Sequence, residues 1–511
     1  MPARNHEPSI WDLAAASRKR YPALSGDLET DVCVVGAGIT GLTAALLLKK
    51  AGRRVVVVEK EQIGAGTTGG TSAHLTNVVD FRYSSLAQSY GAESARRVAE
   101  SMTYAINLIE RLSQEYGIDC AFQRVPGYYY AEEDDGVPDV QEEFEAARGA
   151  GLQVALLDQA PLPFPTRAAF RTEHQAQFQP MDYLAGLAKA IDGDGCALYE
   201  QTAVTRVDDG SPCVLHTNRG QIRAREVVQA THTPLGINFL HSKLDIYRSF
   251  VLAARVREEV PDGLYWDTQS PYHYIRTFHR GSDKFVIMGG EDHKVGDNVS
   301  RRSFQALEDY ARAHFSVEHI EARWSAQFYD PTDHLPFIGK NPLGDHVYIA
   351  TGYSGDGLTF GSLAGSMICN LIQQGHDAYE DLYHPGRVRL TGASDFIRKN
   401  IQVTRDFIAD RLLQPSSRYV DRLAKGEGCV IRDGSSYVAV YRDTGGNLRT
   451  YSAICPHMRC VLRWNDNERS WDCPCHGSRF DTDGQLVEGP ATMQLEPVSW
   501  SPSKKPAKEE A

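Results

Sequence analysis

Residues 31–59 read DVCVVGAGITGLTAALLLKKAGRRVVVVE, and this stretch constrains the fold more than any other. Residues 32–35 and 55–58 are short apolar runs with strand character. Between them Gly36, Gly38 and Gly41 fall in a GxGxxG spacing, followed by helix formers that stop at Ala51-Gly52. Strand, glycine turn, helix and second strand in this order make a βαβ unit. Each glycine has a separate job: Gly36 permits the tight turn, Gly38 admits a pyrophosphate to the backbone, and Gly41 lets helix and strand pack closely. The helix start offers unpaired N–H groups and the positive end of a dipole to phosphate. Glu59, eighteen residues beyond Gly41, is placed to accept hydrogen bonds from a ribose. The pattern predicts dinucleotide binding.

A chain of 511 residues exceeds a single core and predicts two or three domains. A net charge of −12 argues against nucleic acid, which calls for basic surface. No apolar run reaches the roughly 18 residues of a membrane span, and the first twenty residues lack the apolar centre of a secretory signal. A soluble, cytoplasmic protein is expected. Of ten cysteines, Cys33, Cys120, Cys196, Cys213, Cys369 and Cys429 are scattered and read as small buried thiols. Cys455, Cys460, Cys473 and Cys475 fall within 21 residues and need another explanation.

Residues 1–30 read as a loose lead-in with one short helix at 10–16. A Gly/Thr-rich run at 63–77 follows Glu59, with small residues that let backbone approach a flat ring, and His74 within it is placed to touch a cofactor. Residues 91–116 carry Val98, Met102, Ile106, Ile109 and Leu112 on one helical side. Short strands begin near Arg124, interrupted by a helix at 181–191, and the VVQAT strand ends at Ala230-Thr231. Between 245 and 330 apolar and polar residues alternate, as in a half-exposed antiparallel sheet, with a helix at 303–315. A buried strand at 347–350 then enters a glycine loop, where Gly352, Gly355, Gly357 and Gly361 permit close approach to a ligand, before a helix at about 363–374. No second GxGxxG opens a βαβ unit.

This order of pieces resembles the D-amino-acid oxidase-like family of FAD-dependent oxidoreductases over about residues 25–390. The fingerprint with Glu59, the VVQAT strand, DHLPFIG at 333–339 and the glycine loop at 352–361 carry the resemblance. It implies an α/β FAD domain interleaved with a substrate domain on an antiparallel sheet. It also implies cofactor contacts at Gly36, Gly38, Ile39, Gly41, Glu59, Lys60, Ser72, Ala73, His74, Val204, Ala230 and Thr231, with Gly357, Leu358 and Thr359 near the flavin ring.

Near the other end, Cys455-x-His457 and Cys473-x-x-His476 are separated by fifteen residues. Two thiolates and two imidazoles on two loops match a Rieske 2Fe-2S centre, in which histidines replace cysteines on one iron. A Cys2His2 zinc site has the same ligand count, but does not call for two further cysteines and a Gly-Ser beside the ligands. Residues 426–500 resemble the Rieske proteins of respiratory and photosynthetic cytochrome complexes, and Gly477-Ser478 and Gly489-Pro490 fit them. That resemblance implies a Cys460–Cys475 disulfide clipping the loops. Met458-Arg459 stand where Leu-Gly is usual, and Phe480 where a tyrosine is usual. The expected organisation is α/β plus β: an oxidoreductase at 1–390, a helical connector at 391–424, an all-β Rieske domain at 425–500 and a disordered tail at 501–511.

A flavin takes two electrons as hydride, whereas the cluster moves one at a time. One chain holding both reads as a dehydrogenase of an amine or amino-acid-like substrate, passing single electrons to an outside protein or quinone. An NAD(P)H- or partner-driven reductase and a redox sensor use the same two centres. A Rieske oxygenase needs a mononuclear iron held by two histidines and a carboxylate, for which no motif is found. Candidate catalytic residues are Arg276, whose fork suits a substrate carboxylate, Tyr274 and His293. Tyr272 and His273 are further polar candidates, but His273 and Tyr274 point to opposite faces of one strand, so at most one lines a pocket.

Overall fold

The computed structural model describes residues 8–15, 18–296, 303–387 and 417–500. The connector up to residue 416 and the tail at 501–511 lie outside the described residues; Ser417–Arg422 is a 3-10 turn.

The apolar runs form the sheet that the fingerprint demands. Leu28–Val35 pairs in parallel with Val55–Val58 on one side and with Gly220–Gln229 on the other. Ala197–Tyr199 and Val347–Thr351 extend it in parallel, and Phe337–Lys340 closes one edge antiparallel. The central strands are buried on both faces, as parallel strands covered by helices must be. The helix Ala92–Glu115 buries all five of its predicted apolar positions.

The glycine loop ends earlier than expected. Its helix spans Gly357–Gln374, six residues before the predicted start. Gly361 and Gly365 are helical, and face the fingerprint helix Ile39–Lys50 rather than a ligand. A Cβ on Gly361 would stand 2.7 Å from Ile39 Cγ2, and one on Gly365 2.8 Å from the Ala44 nitrogen. These glycines shorten the distance between two helices, which a pattern of glycines alone does not distinguish from a loop.

The substrate sheet has nine strands and is largely antiparallel. Val317–Pro331, Leu244–Val256, Asp283–Lys294 and His273–Arg280 lie side by side. One face packs with the cofactor domain through Val251, Tyr274, Phe278 and Ile287. The other carries Phe250, Ile275 and Met288 against the helix Ser303–His314.

The described residues of the lead-in are anchored. Ser9 caps the helix Ile10–Ala14, and Trp11 is fully buried, its ring 4.9 Å from Phe278. Its indole N–H donates to the Thr71 carbonyl at 2.6 Å, so the first described residues pin the Gly/Thr loop. All six scattered cysteines are buried.

Residues 428–488 form two small antiparallel sheets, one of three strands and one of four, over a core that includes Tyr441, Leu462, Trp471 and Phe480. No helix among the described residues is long and apolar enough to cross a membrane.

Candidate active site and cluster site

The dinucleotide turn is built from backbone. Gly36 has φ +102°, and a Cβ there would stand 2.4 Å from the Ala230 carbonyl oxygen; a Cβ on Gly41 would stand 1.9 Å from the Gly36 carbonyl oxygen. The Gly38 N-cap has no side-chain hydrogen bond, and Thr68 Oγ1 accepts from the Ile39 N–H at 3.2 Å. Glu59 Oε2 accepts from the Ala37 N–H at 2.9 Å, and Oε1 from Glu61 at 3.0 Å. Burial pushes the Glu59 carboxyl upward, against those two N–H groups. Thr231 turns its hydroxyl onto the Thr233 carbonyl, while Val204 is the buried first residue of an otherwise largely exposed strand. At the first turn of the Gly357–Gln374 helix, Thr359 Oγ1 is buried without a hydrogen bond, and the position of a Cβ on Gly357 is open space. A cradle that side chains would fill, an uncapped helix start and an orphaned hydroxyl fit FAD. Lys60 departs from the expected set: its Nζ donates to the Val487 carbonyl in the Rieske domain.

Ala73 is fully buried with φ +61° and Ser72 Oγ lies 2.9 Å from His74 Nδ1. The His74 ring stands 5.4 Å from Trp266 and from Tyr274. Burial, with the Arg276 charge, lowers the His74 pKa to about 3, so the imidazole is neutral. Tyr274 faces the cofactor domain and its hydroxyl meets Ser249 at 3.0 Å. The other two catalytic candidates lie elsewhere. Arg276 is buried, its Nε donating to the Thr277 carbonyl and its Nη1 to those of Ala73, Ser72 and Phe178, 5.2 Å from the Trp11 ring. Its Nη1 clamps the loop bearing His74. His293 lies on the far face of the sheet, stacked at 5.2 Å on Phe250 and 3.5 Å from Ser303 Oγ. An isolated arginine on a strand carries no sign of which carbonyls it will meet.

The four proposed iron ligands converge. Cys455 and Cys473 are buried free thiols, and a hydrogen bond from Cys473 draws the Cys455 thiol below its usual range. The rings of His457 and His476 lie 5.0 Å apart and nearly perpendicular. His457 Nε2 faces the Gly236 carbonyl at 3.1 Å and so carries the proton, while its Nδ1 is buried without a hydrogen bond. That tautomer leaves Nδ1 as the ligand nitrogen, with the outer N–H oriented by a carbonyl, the usual arrangement of a metal-bound histidine. Cys460 and Cys475 are joined as a disulfide. Their sulfurs lie near Cys473 but are spent on each other, so they clip the loops and leave Cys455 and Cys473 as the thiolates. The donor set fits a Rieske cluster.

What the motif could not show is where these loops point. They sit on the oxidoreductase domain. The His241 ring, from the segment after Thr231, meets the His457 ring edge-on at 4.9 Å and lies 5.8 Å from that of His476. Gln327 donates to the Gly477 carbonyl at 3.0 Å, and Arg463 to that of Gly296 at 2.6 Å. Below them runs a buried charge network. Arg248 pairs with Glu468, and Arg479 pairs with Glu468 at 3.0 Å and Asp472 at 3.1 Å. His232 Nδ1 lies 3.1 Å from both Glu488 Oε1 and Thr67 Oγ1, and its ring 4.6 Å from Tyr329. One histidine thus touches the Gly/Thr loop and the Rieske domain together. His232 and His241 are single histidines in unremarkable contexts, and no spacing marks them.

A family model described as FAD dependent oxidoreductase matches residues 31–371, and one described as Rieske [2Fe-2S] domain matches 417–499. The chain is 32% identical over 497 residues to the Rieske 2Fe-2S iron-sulfur protein YhfW of Bacillus subtilis (strain 168), covering 96% of this chain and 97% of that one. It is 27% identical to gamma-glutamylputrescine oxidoreductase of Escherichia coli (strain K12), over 74% of this chain and 92% of that one. The crystal structure of glycine oxidase from Geobacillus kaustophilus superposes with a TM-score of 0.60 at 22% identity, covering 71% of this chain and 99% of that one. That likeness concerns the fold.

Proposed function

The chain belongs to the FAD-dependent oxidoreductase family and carries a Rieske [2Fe-2S] domain, and from that premise we propose an amine dehydrogenase that sends its electrons out singly through the cluster. Bound FAD supplies hydride acceptance and the cluster one-electron transfer. The substrate C–H bond breaks with its electron pair, a proton leaves the nitrogen for solvent, and the carbon–nitrogen bond becomes double. Two electrons then pass one at a time to an external protein or quinone.

The chain's own residues orient and exclude. Gly36, Gly38, Ile39, Gly41 and Glu59 hold the dinucleotide half, with Gly357, Leu358 and Thr359 at the ring. Ser72, Ala73 and His74 line the ring's neighbourhood and are fixed by Arg276 and Trp11. Cys455, His457, Cys473 and His476 hold the cluster. The single observation carrying this reading is the docking of the cluster histidines on the oxidoreductase domain, His457 on Gly236 and beside His241. A relay that receives its electrons within the chain needs such a contact. The name of the gamma-glutamylputrescine relative supports an amine as donor. The division into an oxidoreductase at 1–390 and a Rieske domain at 425–500 belongs to the same proposal.

Anaerobic mixing with amines tests it. The flavin band should bleach with an amine and not with NAD(P)H, and electrons should then appear on the cluster. His457→Ala should reduce its flavin normally and reoxidise slowly with a one-electron acceptor. Stoichiometric peroxide at full turnover speed would sink the dehydrogenase reading.

A further inference from the structure

The cofactor-facing side of the substrate sheet gathers acid without a matching base. Asp292 lies near the end of the strand Asp283–Lys294. Both of its carboxyl oxygens are shielded from solvent, and neither makes a hydrogen bond. The hydroxyls of Ser249 and Tyr272 stand beside it and oppose the rise in its pKa. Burial carries that pKa up to about 7, and the Asp80 charge adds to it. Tyr274 ties this corner to the flavin loop. Its ring is 6.2 Å from Tyr272 and 5.4 Å from His74, whose Nε2 is likewise buried and unbonded.

Two more carboxyls stand between this strand and the start of the Gly357–Gln374 helix. The Gly355 N–H donates to Asp80 Oδ2 at 2.7 Å, and the Asp80 N–H to Asp356 Oδ2 at 3.1 Å. Burial pushes the Asp356 carboxyl well upward, whereas Asp80 lies exposed at the rim of the group. Among the described residues no lysine or arginine pairs with Asp80, Asp292 or Asp356. Arg276 directs its Nε and Nη1 to carbonyls, and burial lowers the His74 pKa to about 3.

An unbonded buried carboxyl costs free energy unless something compensates it. A cation restores the balance; a substrate carboxylate adds a further like charge. We propose that this face takes the substrate as an ammonium ion with Asp292 as its counter-ion, so that the substrate class is a primary or secondary aliphatic amine with no carboxylate beside the reacting nitrogen. This rests on the amine dehydrogenase reading and narrows it, excluding α-amino acids.

The experiment titrates 1,4-diaminobutane and sarcosine separately into anaerobic holoenzyme. Perturbation of the flavin band reports binding, and its bleaching reports reduction. The expected result is that the diamine perturbs and bleaches while sarcosine at equal concentration does neither. In Asp292→Asn the apparent Kd for the diamine should rise at least tenfold with flavin and iron contents unchanged. Should Asp292→Asn lose its flavin, Asp80→Asn serves instead and should weaken the diamine at least threefold. Perturbation without bleaching supports the cation site and counts against the dehydrogenase reading. Bleaching by sarcosine with no response to the diamine overturns the inference and leaves that reading standing. Silence toward both compounds, or undiminished diamine binding in the variants, also overturns it.

Discussion

The two redox sites of this chain are built by opposite means. The dinucleotide turn is made mostly of backbone: the three glycines and Glu59 lie within thirty residues of chain, and the missing Cβ atoms let the Gly36 and Ala230 carbonyls pack against the turn. The cluster site is made of side chains, two sulfurs and two imidazoles, whose outer edge is completed by Gly236 and His241 from over two hundred residues away. The first kind of site is a local property and tolerates changes elsewhere. The second depends on a clip, on a docked domain and on buried charge. Substitutions should therefore separate them.

The largest effects fall on the ligands and the glycines. Cys473→Ser should abolish the cluster and keep the flavin, read as iron content against flavin content; loss of both would show that the two sites fold as one. Gly41→Val should do the reverse. Its side chain has no room beside the Gly36 carbonyl, 1.9 Å from the Cβ position. Flavin should be lost, with iron retained in the other domain.

Breaking the seam should cost less than losing a ligand set but remain easy to measure. Arg248→Leu leaves Glu468 buried against the oxidoreductase domain with one partner fewer. Removing one member of a buried pair costs about 3–5 kcal/mol, which should appear as a lower Tm with both cofactors bound. Glu468→Leu added to it should recover part of the loss. Full stability in the single variant would mean that the network contributes nothing to docking.

A smaller effect follows from Glu488. Burial raises its pKa, but the His232 hydrogen bond and the charges of His232, Arg479 and Arg248 outweigh burial and hold it at about 2. A carboxylate depressed below its ordinary value of 4.5 contributes stability that is complete above that value and lost as pH falls toward 2. The stability difference between wild type and Glu488→Gln should therefore shrink as pH falls from 4.5 toward 2. A difference independent of pH would assign the effect to packing.

The smallest expected change is in the cluster potential. Phe480 is fully buried beside Trp471 and has no hydroxyl to donate toward the ligand sulfurs. Such donors stabilise the reduced state. Phe480→Tyr should therefore move the midpoint upward in voltammetry, and no shift with the cluster intact would show that exposure and nearby charge set it.

Much of the architecture was legible because its signals are local. The 3.6-residue stripe of Val98, Met102, Ile106, Ile109 and Leu112 needs no distant partner to be recognised, and all five are buried. Gly361 was harder, since a glycine admits a ligand and a neighbouring helix equally well. Trp11 escaped because burial of a lead-in depends on what the sheet offers it, here Phe278 and Trp324. Arg276 looked like an anchor because its charge is visible in sequence, whereas the carbonyls of Ala73 and Phe178 that occupy it are not.

The sequence by itself determined the cofactor chemistry: a glycine turn with its acid, and a Cys-His pair of boxes at fixed spacing. Ligand type and short-range spacing follow from covalent connectivity, so a contiguous motif carries them whole. Only the tertiary structure decided that the cluster histidines face the oxidoreductase domain, that Arg276 holds the carbonyls of the His74 loop, and that Asp80, Asp292 and Asp356 share one corner. Those facts depend on which strands pair and which face each residue takes. One residue of register sends Asp292 to the face packed on the cofactor domain and His293 to the opposite side.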